Sequence, residues 1–78
     1  MRAFGYEKRD SDADTQQPIS LCEVSFNCSP DQLRVLAKFL FHAADLIETH
    51  GQEFGHEHLR DWWTDWRPEF ADVIVMKE

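Results

Sequence analysis

The sequence has little of what builds a catalytic or metal centre. Its 78 residues include only two cysteines, three glycines and three prolines, with neither a C-x-x-C pair nor a glycine-rich phosphate loop. Cys22 and Cys28 lie six positions apart, which in a strand would separate them by roughly 20 Å, beyond disulfide reach. We interpret them as reduced, half-buried thiols. Because no nucleophile, base and orienting group can be assembled, we predict that the protein is not an enzyme and uses no cofactor.

Basic residues are also scarce, with 8 lysines and arginines against 15 aspartates and glutamates, and the net charge is -7. This balance argues against nucleic acid and anionic membranes as partners, because both are bound through clustered Lys and Arg. It favours a basic protein partner, whose encounter the acidic field would steer. No apolar run approaches the roughly 20 residues that span a bilayer, and no secretory h-region follows Met1. We therefore expect a cytoplasmic protein.

The apolar side chains, 42% of the sequence, are enough for a single domain over residues 1–78. Residues 1–7 are predicted to form a first strand. The segment from Ile19 to Cys28 alternates between apolar and polar positions, as a half-buried strand does. The polar, acidic residues 8–18 between them are expected to be a mobile loop. The two strands most simply form an antiparallel pair.

The clearest local signal is the start of a long helix. Ser29 is placed as the N-cap, Pro30 occupies the first helical position, and Gln32 completes an S-x-x-Q capping box. The helix is predicted to run to about His50 and to stop at Gly51, because glycine commonly ends helices. This helix is the largest element expected in the fold.

The apolar residues of this helix form more than one stripe. Val35, Phe39 and Leu46 widen the main stripe, and Phe41 lies apart from it. A sheet can cover only one stripe, so another element must cover the second. The main stripe consists of Leu33, Leu36, Ala37, Leu40, Ala44 and Ile47.

A tryptophan-rich segment is the natural second cover. Residues 54–66 hold all three tryptophans and two of the four histidines. The segment from Glu57 to Trp66 is predicted to be a short helix or loop, and Asp72 to Met76, apolar on both faces, a closing strand in the centre of the sheet. The expected fold class is α+β, with a three- or four-stranded, mainly antiparallel sheet and the long helix packed on one face.

The aromatic cluster is either part of the core or the anchor of a partner surface, since tryptophan is frequent in both. Acidic side chains flank it, a composition suited to a basic partner that accepts aromatic side chains. Phe41 and Trp63 are the candidates for exposed anchors. The predicted partner-binding residues are Glu57, Asp61, Trp62, Trp63 and Asp65.

His56 and His58 offer an alternative function, as the imidazole ligands of a small metal-binding or regulatory module. The H-E-x-x-H spacing is absent, because Glu57 sits between the two histidines. We favour no metal and expect one histidine to hydrogen-bond locally and cap the short helix, while the other packs on tryptophan. A further alternative is a homodimer in which the uncovered helix stripe pairs with itself.

Three segments of the chain together resemble a known family. They are Ala3-Phe4-Gly5-Tyr6, the Ser29-Pro30 helix start with His42-Ala43-Ala44-Asp45, and Phe54-Gly55-His56-Glu57-His58-Leu59 followed by tryptophan. The pattern is similar to that of small bacterial immunity proteins from polymorphic-toxin loci, the family Immunity protein thirty-two. It covers nearly the whole chain apart from residues 8–18. The resemblance implies a cytoplasmic protein that binds and neutralises a cognate protein toxin and has no catalytic residues.

Overall fold

One long helix dominates the computed structural model, which describes residues 1–7 and 17–78. The α+β class is confirmed. A mobile acidic loop was expected at residues 8–18, and residues 8–16 of it lie outside the part of the chain that the structure describes. The elements in chain order are β1 (Ala3–Gly5), β2 (Ile19–Leu21), α1 (Pro30–His50), a 3-10 turn (Gly51–Glu53), β3 (His56–His58), α2 (Leu59–Trp62) and β4 (Ile74–Met76).

The predicted bounds of α1 are confirmed at both ends. The Ser29 backbone N–H donates to Gln32 Oε1 at 2.8 Å, and the Gln32 backbone N–H donates to Ser29 Oγ at 3.2 Å. Both halves of the capping box are therefore present. At the other end Gly51 has a φ of 56°, a conformation that glycine adopts without steric cost, and its N–H donates to the Ile47 carbonyl.

The strands pair in two small sheets, and the predicted single sheet of three or four strands is not confirmed. Strands β1 and β2 are antiparallel, with Ala3 opposite Leu21. Strands β3 and β4 are also antiparallel, with His56 opposite Met76. Each described sheet has two strands, so the central position expected for the last strand is wrong. The apolar residues 73–76 instead form a short segment at the edge of a two-stranded sheet. Val73 and Val75 pack on the core, while Ile74 and Met76 are exposed.

The second strand is shorter than its alternating pattern predicted. It ends at Leu21, and every residue from Cys22 to Cys28 is exposed. Alternation produces a half-buried strand only where a neighbouring layer covers one face. Among the described residues, nothing covers this segment, because Val24 and Phe26 are 50% and 54% exposed and their polar neighbours are exposed too. The prediction of half-buried thiols is therefore wrong, since both cysteines are exposed and free.

The core lies between α1 and the tryptophan-rich segment. The inner face of α1 combines Leu36 from the main stripe with Phe39 from the second stripe, and Leu59 of α2 packs against them. The tryptophan-rich segment covers this face, as expected. Leu33 and Leu40, which belong to the same main stripe as Leu36, remain exposed. The partly buried residues packed on this core are Trp62, Trp63, Trp66, Val73 and Val75.

None of the helices in the described residues combines the length and the apolar character that a bilayer crossing requires.

Candidate interaction surface at the short tryptophan helix

Helix α2 is held in place by residues that precede β4. The Leu59 N–H donates to the Val73 carbonyl at 2.8 Å, and the Arg60 N–H donates to Asp72 Oδ1 at 3.1 Å. The first backbone N–H groups of a helix need such acceptors, which a neighbouring N-cap side chain usually supplies. His58 occupies the N-cap position here but makes no side-chain cap. Asp72 supplies the acceptor from 12 residues away.

The same carboxylate also fixes His58. A hydrogen bond joins His58 Nδ1 to Asp72 Oδ2 at 2.6 Å, with side chains that are 18% and 17% exposed. The Arg60 guanidinium Nε lies 3.7 Å from that carboxylate oxygen. Asp72 therefore ties α2, β3 and the approach to β4 into one unit. The local hydrogen bond predicted for one histidine is present, but the predicted cap of the short helix comes from Asp72.

In the alternative function, His56 and His58 would bind a metal ion, and the described residues supply no third ligand beside them. The rings of His56 and His58 stand edge to face with centroids 4.9 Å apart. Across residues 1–7 and 17–78, no group of three or more His, Cys, Asp or Glu side chains is placed to hold a metal ion. Structural zinc sites use four protein ligands and catalytic ones three. The two histidines form a packed pair beside Asp72.

We expect Asp72→Ala to lower the free energy of unfolding by about 2 kcal/mol, because it removes a helix cap and leaves the half-buried His58 ring without its acceptor. Urea unfolding followed by circular dichroism measures this. Asp72→Asn is the matched control, since its amide oxygen can still accept from the Arg60 N–H. We expect it to cost about half as much. Equal stability of Asp72→Ala and the wild type would contradict the capping role.

The three tryptophans form a partly buried layer rather than an exposed patch. Trp62 lies between Phe39 and His42, with ring centroids 5.6 Å from each. Trp63 stacks on Phe70 at 5.7 Å. The histidine that packs on a tryptophan is therefore His42 of α1. The sequence-based prediction that His56 or His58 would do so is wrong. Trp63 was expected to be exposed and is only half-exposed.

The predicted partner-binding residues all lie on one stretch of β3, α2 and the turn after α2. Asp61 and Asp65 are exposed, and Arg60 Nε lies 3.8 Å from Asp61 Oδ1. Glu57 is half-buried, with its Oε2 3.6 Å from His42 Nε2. We call this group the α2 surface: Glu57, Asp61, Trp62, Trp63 and Asp65. It joins half-buried aromatic rings to exposed carboxylates, a combination that suits a basic protein partner.

A second surface lies on α1, where the sequence offered only the alternative of an uncovered stripe that pairs with itself. An open groove of about 370 Å³ runs along α1. Phe41 on its border is 75% exposed, as predicted for an anchor. The residues of this groove belong mostly to the main apolar stripe of α1. That stripe was visible in the sequence but was expected to be covered by a sheet. The groove is lined by Ala37, Leu40, Phe41 and Ala44.

Comparison with known protein families gives a match over most of the chain. The model of a protein family described as Immunity protein 32 matches residues 23–77. The matched stretch contains α1, β3, α2 and β4 and leaves out β1 and β2. No curated protein and no solved structure matches the chain.

Proposed function

The chain belongs to the Immunity protein 32 family, and from this premise we propose that it binds a cognate protein toxin in a stoichiometric complex and thereby neutralises it. The family match carries the proposal, because it spans every residue of the α2 surface. Proteins of such families are generally not enzymes. Neutralisation would accordingly come from occupying the toxin rather than from modifying it.

We further propose that the toxin is basic and that the α2 surface receives it. The net charge of -7 would steer a basic toxin toward the protein, and this attraction raises association rates. Asp61 and Asp65 are exposed and face solvent, so each can pair with a Lys or Arg of a partner. Rim charges of this kind set the encounter and the register of a complex more than its final affinity.

The aromatic side chains would supply most of the binding free energy and slow the dissociation of the complex. Trp62 and Trp63 are half-buried, so each retains accessible ring surface although it packs on the core. Rings already held by Phe39 and Phe70 lose little freedom when a partner covers them. Rigid aromatic anchors of this kind would hold the complex together. In that complex the bound protein would cover the toxin's active site or its substrate path.

The primary experiment identifies the toxin and tests protection together. The tagged protein is used as bait in a lysate of the source cells at low and high salt. The gene of any stoichiometric, salt-sensitive, basic partner is then expressed alone in a host and together with this chain. Growth arrest by the partner and its relief by co-expression are expected. Arrest that co-expression leaves unchanged would contradict the proposal.

The contribution of the carboxylates is tested by charge reversal. We expect Asp61→Lys and Asp65→Lys each to weaken binding of that toxin about tenfold, mainly through slower association, because each replaces attraction by repulsion. Surface plasmon resonance at two salt concentrations gives the rates. Asp45→Lys is the matched control, since it makes the same charge change at an exposed position on α1. Equal losses for all three variants would show general steering without a specific α2 surface.

A further inference from the structure

The groove on α1 belongs to a longer apolar row that ordinary burial does not explain. Leu33 and Leu40 are each 46% exposed, Ala37 is exposed between them, and Ala44 is exposed one turn beyond Leu40. We call this row the α1 seam: Leu33, Ala37, Leu40 and Ala44. Its members are spaced by four, three and four residues, which is the heptad spacing of helices that pair lengthwise. One face of α1 thus packs in the core while its neighbouring face carries a pairing pattern.

We propose that a second copy of this chain covers the α1 seam, with the two α1 helices antiparallel about a two-fold axis. Large and small residues alternate along the seam, so a leucine of one helix can lie over an alanine of the other. Setting Leu40 against Ala44 of the partner subunit repeats the same contact on the other side of the axis. Such self-complementarity is what a two-fold interface requires. Alanine at alternate positions also lets two helices approach closely.

The charges beside the seam select this orientation. Arg34, Phe41 and Glu48 follow one another at seven-residue spacing along the border of the seam. With Leu40 over Ala44 of the partner subunit, the axis crosses at the level of position 42, one residue from Phe41. Arg34 then lies within roughly 3 Å, along the helix axis, of the level of Glu48 of the partner subunit, a gap its long side chain can span. The exposed Phe41 lies beside Phe41 of the partner subunit with the same small offset. Reversing the direction of one helix is what brings the opposite charges together.

A second copy fits this face better than the basic toxin does. The border row carries one positive and one negative side chain, so it offers a basic partner no net attraction. The acidic, aromatic α2 surface lies on other elements. The seam covers about three helical turns, which is short against the roughly 1,200 Å² of a stable interface, so we expect a dissociation constant in the micromolar range.

Sedimentation equilibrium of the full chain without toxin tests the dimer. Over about 1 to 500 µM the mass is expected to rise from one chain to two. Leu40→Glu should remain monomeric throughout, with an unchanged circular dichroism spectrum, because Leu40 is outside the buried core. Lys38→Glu, an exposed change on another face of α1, should dimerise like the wild type. A wild-type monomer at the highest concentration overturns the proposal, whatever the toxin experiments give.

Charge exchange tests the register. Arg34→Glu and Glu48→Arg should each raise the dissociation constant about tenfold, since each creates two like-charged contacts across the axis. The double variant should restore the wild-type value. Arg34 also lies 2.9 Å from Asp31 within its own helix, so unfolding curves of all variants are compared first. A dimer whose double variant is as weak as the single ones overturns the antiparallel pairing.

Discussion

Phe39→Ala is expected to lower the free energy of unfolding by about 4 kcal/mol, the cost of emptying a buried aromatic site. Phe39 is 0% exposed and lies at the centre of the contacts among Leu36, Leu59 and Trp62. A chain of this length has roughly 4 to 12 kcal/mol of stability in total. The variant should therefore lose about a third or more of its stability, with a fall in Tm of about 20 °C. Thermal unfolding followed by far-ultraviolet circular dichroism measures it.

Phe41→Ala is the matched control for this prediction. It removes the same side chain from the same helix, two residues away, but Phe41 is 75% exposed. We expect a change within about 0.5 kcal/mol when the protein is dilute enough to be monomeric. The contrast isolates burial, because helix propensity changes identically in both variants. Comparable losses in the two variants would mean that the core is not organised around Phe39.

The long helix could be predicted because its signals are local. The residues that form the capping box lie within four positions of one another, and Gly51 ends the helix through its own backbone conformation. Neither signal depends on what packs against the helix. The antiparallel pairing of the first two strands was predicted for a similar reason, since a short connection leaves few other arrangements.

The sheet arrangement could not be predicted because it depends on which surfaces meet. The alternation from Ile19 to Cys28 is real, but it records side-chain pattern and not the presence of a covering layer. The apolar residues of α1 likewise permit two buried faces. No local feature of the sequence favours burial of the helix face with Phe39 over burial of the face with Leu40. Packing against the tryptophan-rich segment buries the face with Phe39 and leaves the α1 seam exposed.

The capping of α2 was missed for a related reason. A cap is normally sought beside the helix, and here His58 stands in that position. The acceptor is Asp72, which becomes adjacent only after β3 and β4 pair. The acidic and aromatic composition of the α2 surface could be seen in the sequence. How far each ring would be buried depended on contacts with α1 and Phe70, which no local pattern specifies.

Trp62→Ala is expected to cost about 3 kcal/mol of unfolding free energy, somewhat less than Phe39→Ala because Trp62 is only half-buried. The change removes contacts with both Phe39 and His42. Urea unfolding of Trp62→Ala, His42→Ala and the double variant separates the stacking contribution, for which we expect about 1 kcal/mol. Strictly additive losses would contradict an energetic role for the His42–Trp62 stack.

The size of that loss decides how toxin binding by Trp62 variants must be interpreted. A variant that is partly unfolded binds more weakly in proportion to its folded fraction, even when the ring never touches the toxin. Trp62→Phe keeps an aromatic ring against Phe39 and should cost only about 1 kcal/mol, so it leaves the domain folded. If Trp62→Phe weakens toxin binding while its folded fraction stays near one, Trp62 contacts the toxin. Normal binding would assign Trp62 to the core alone and leave Asp61 and Asp65 to define the surface.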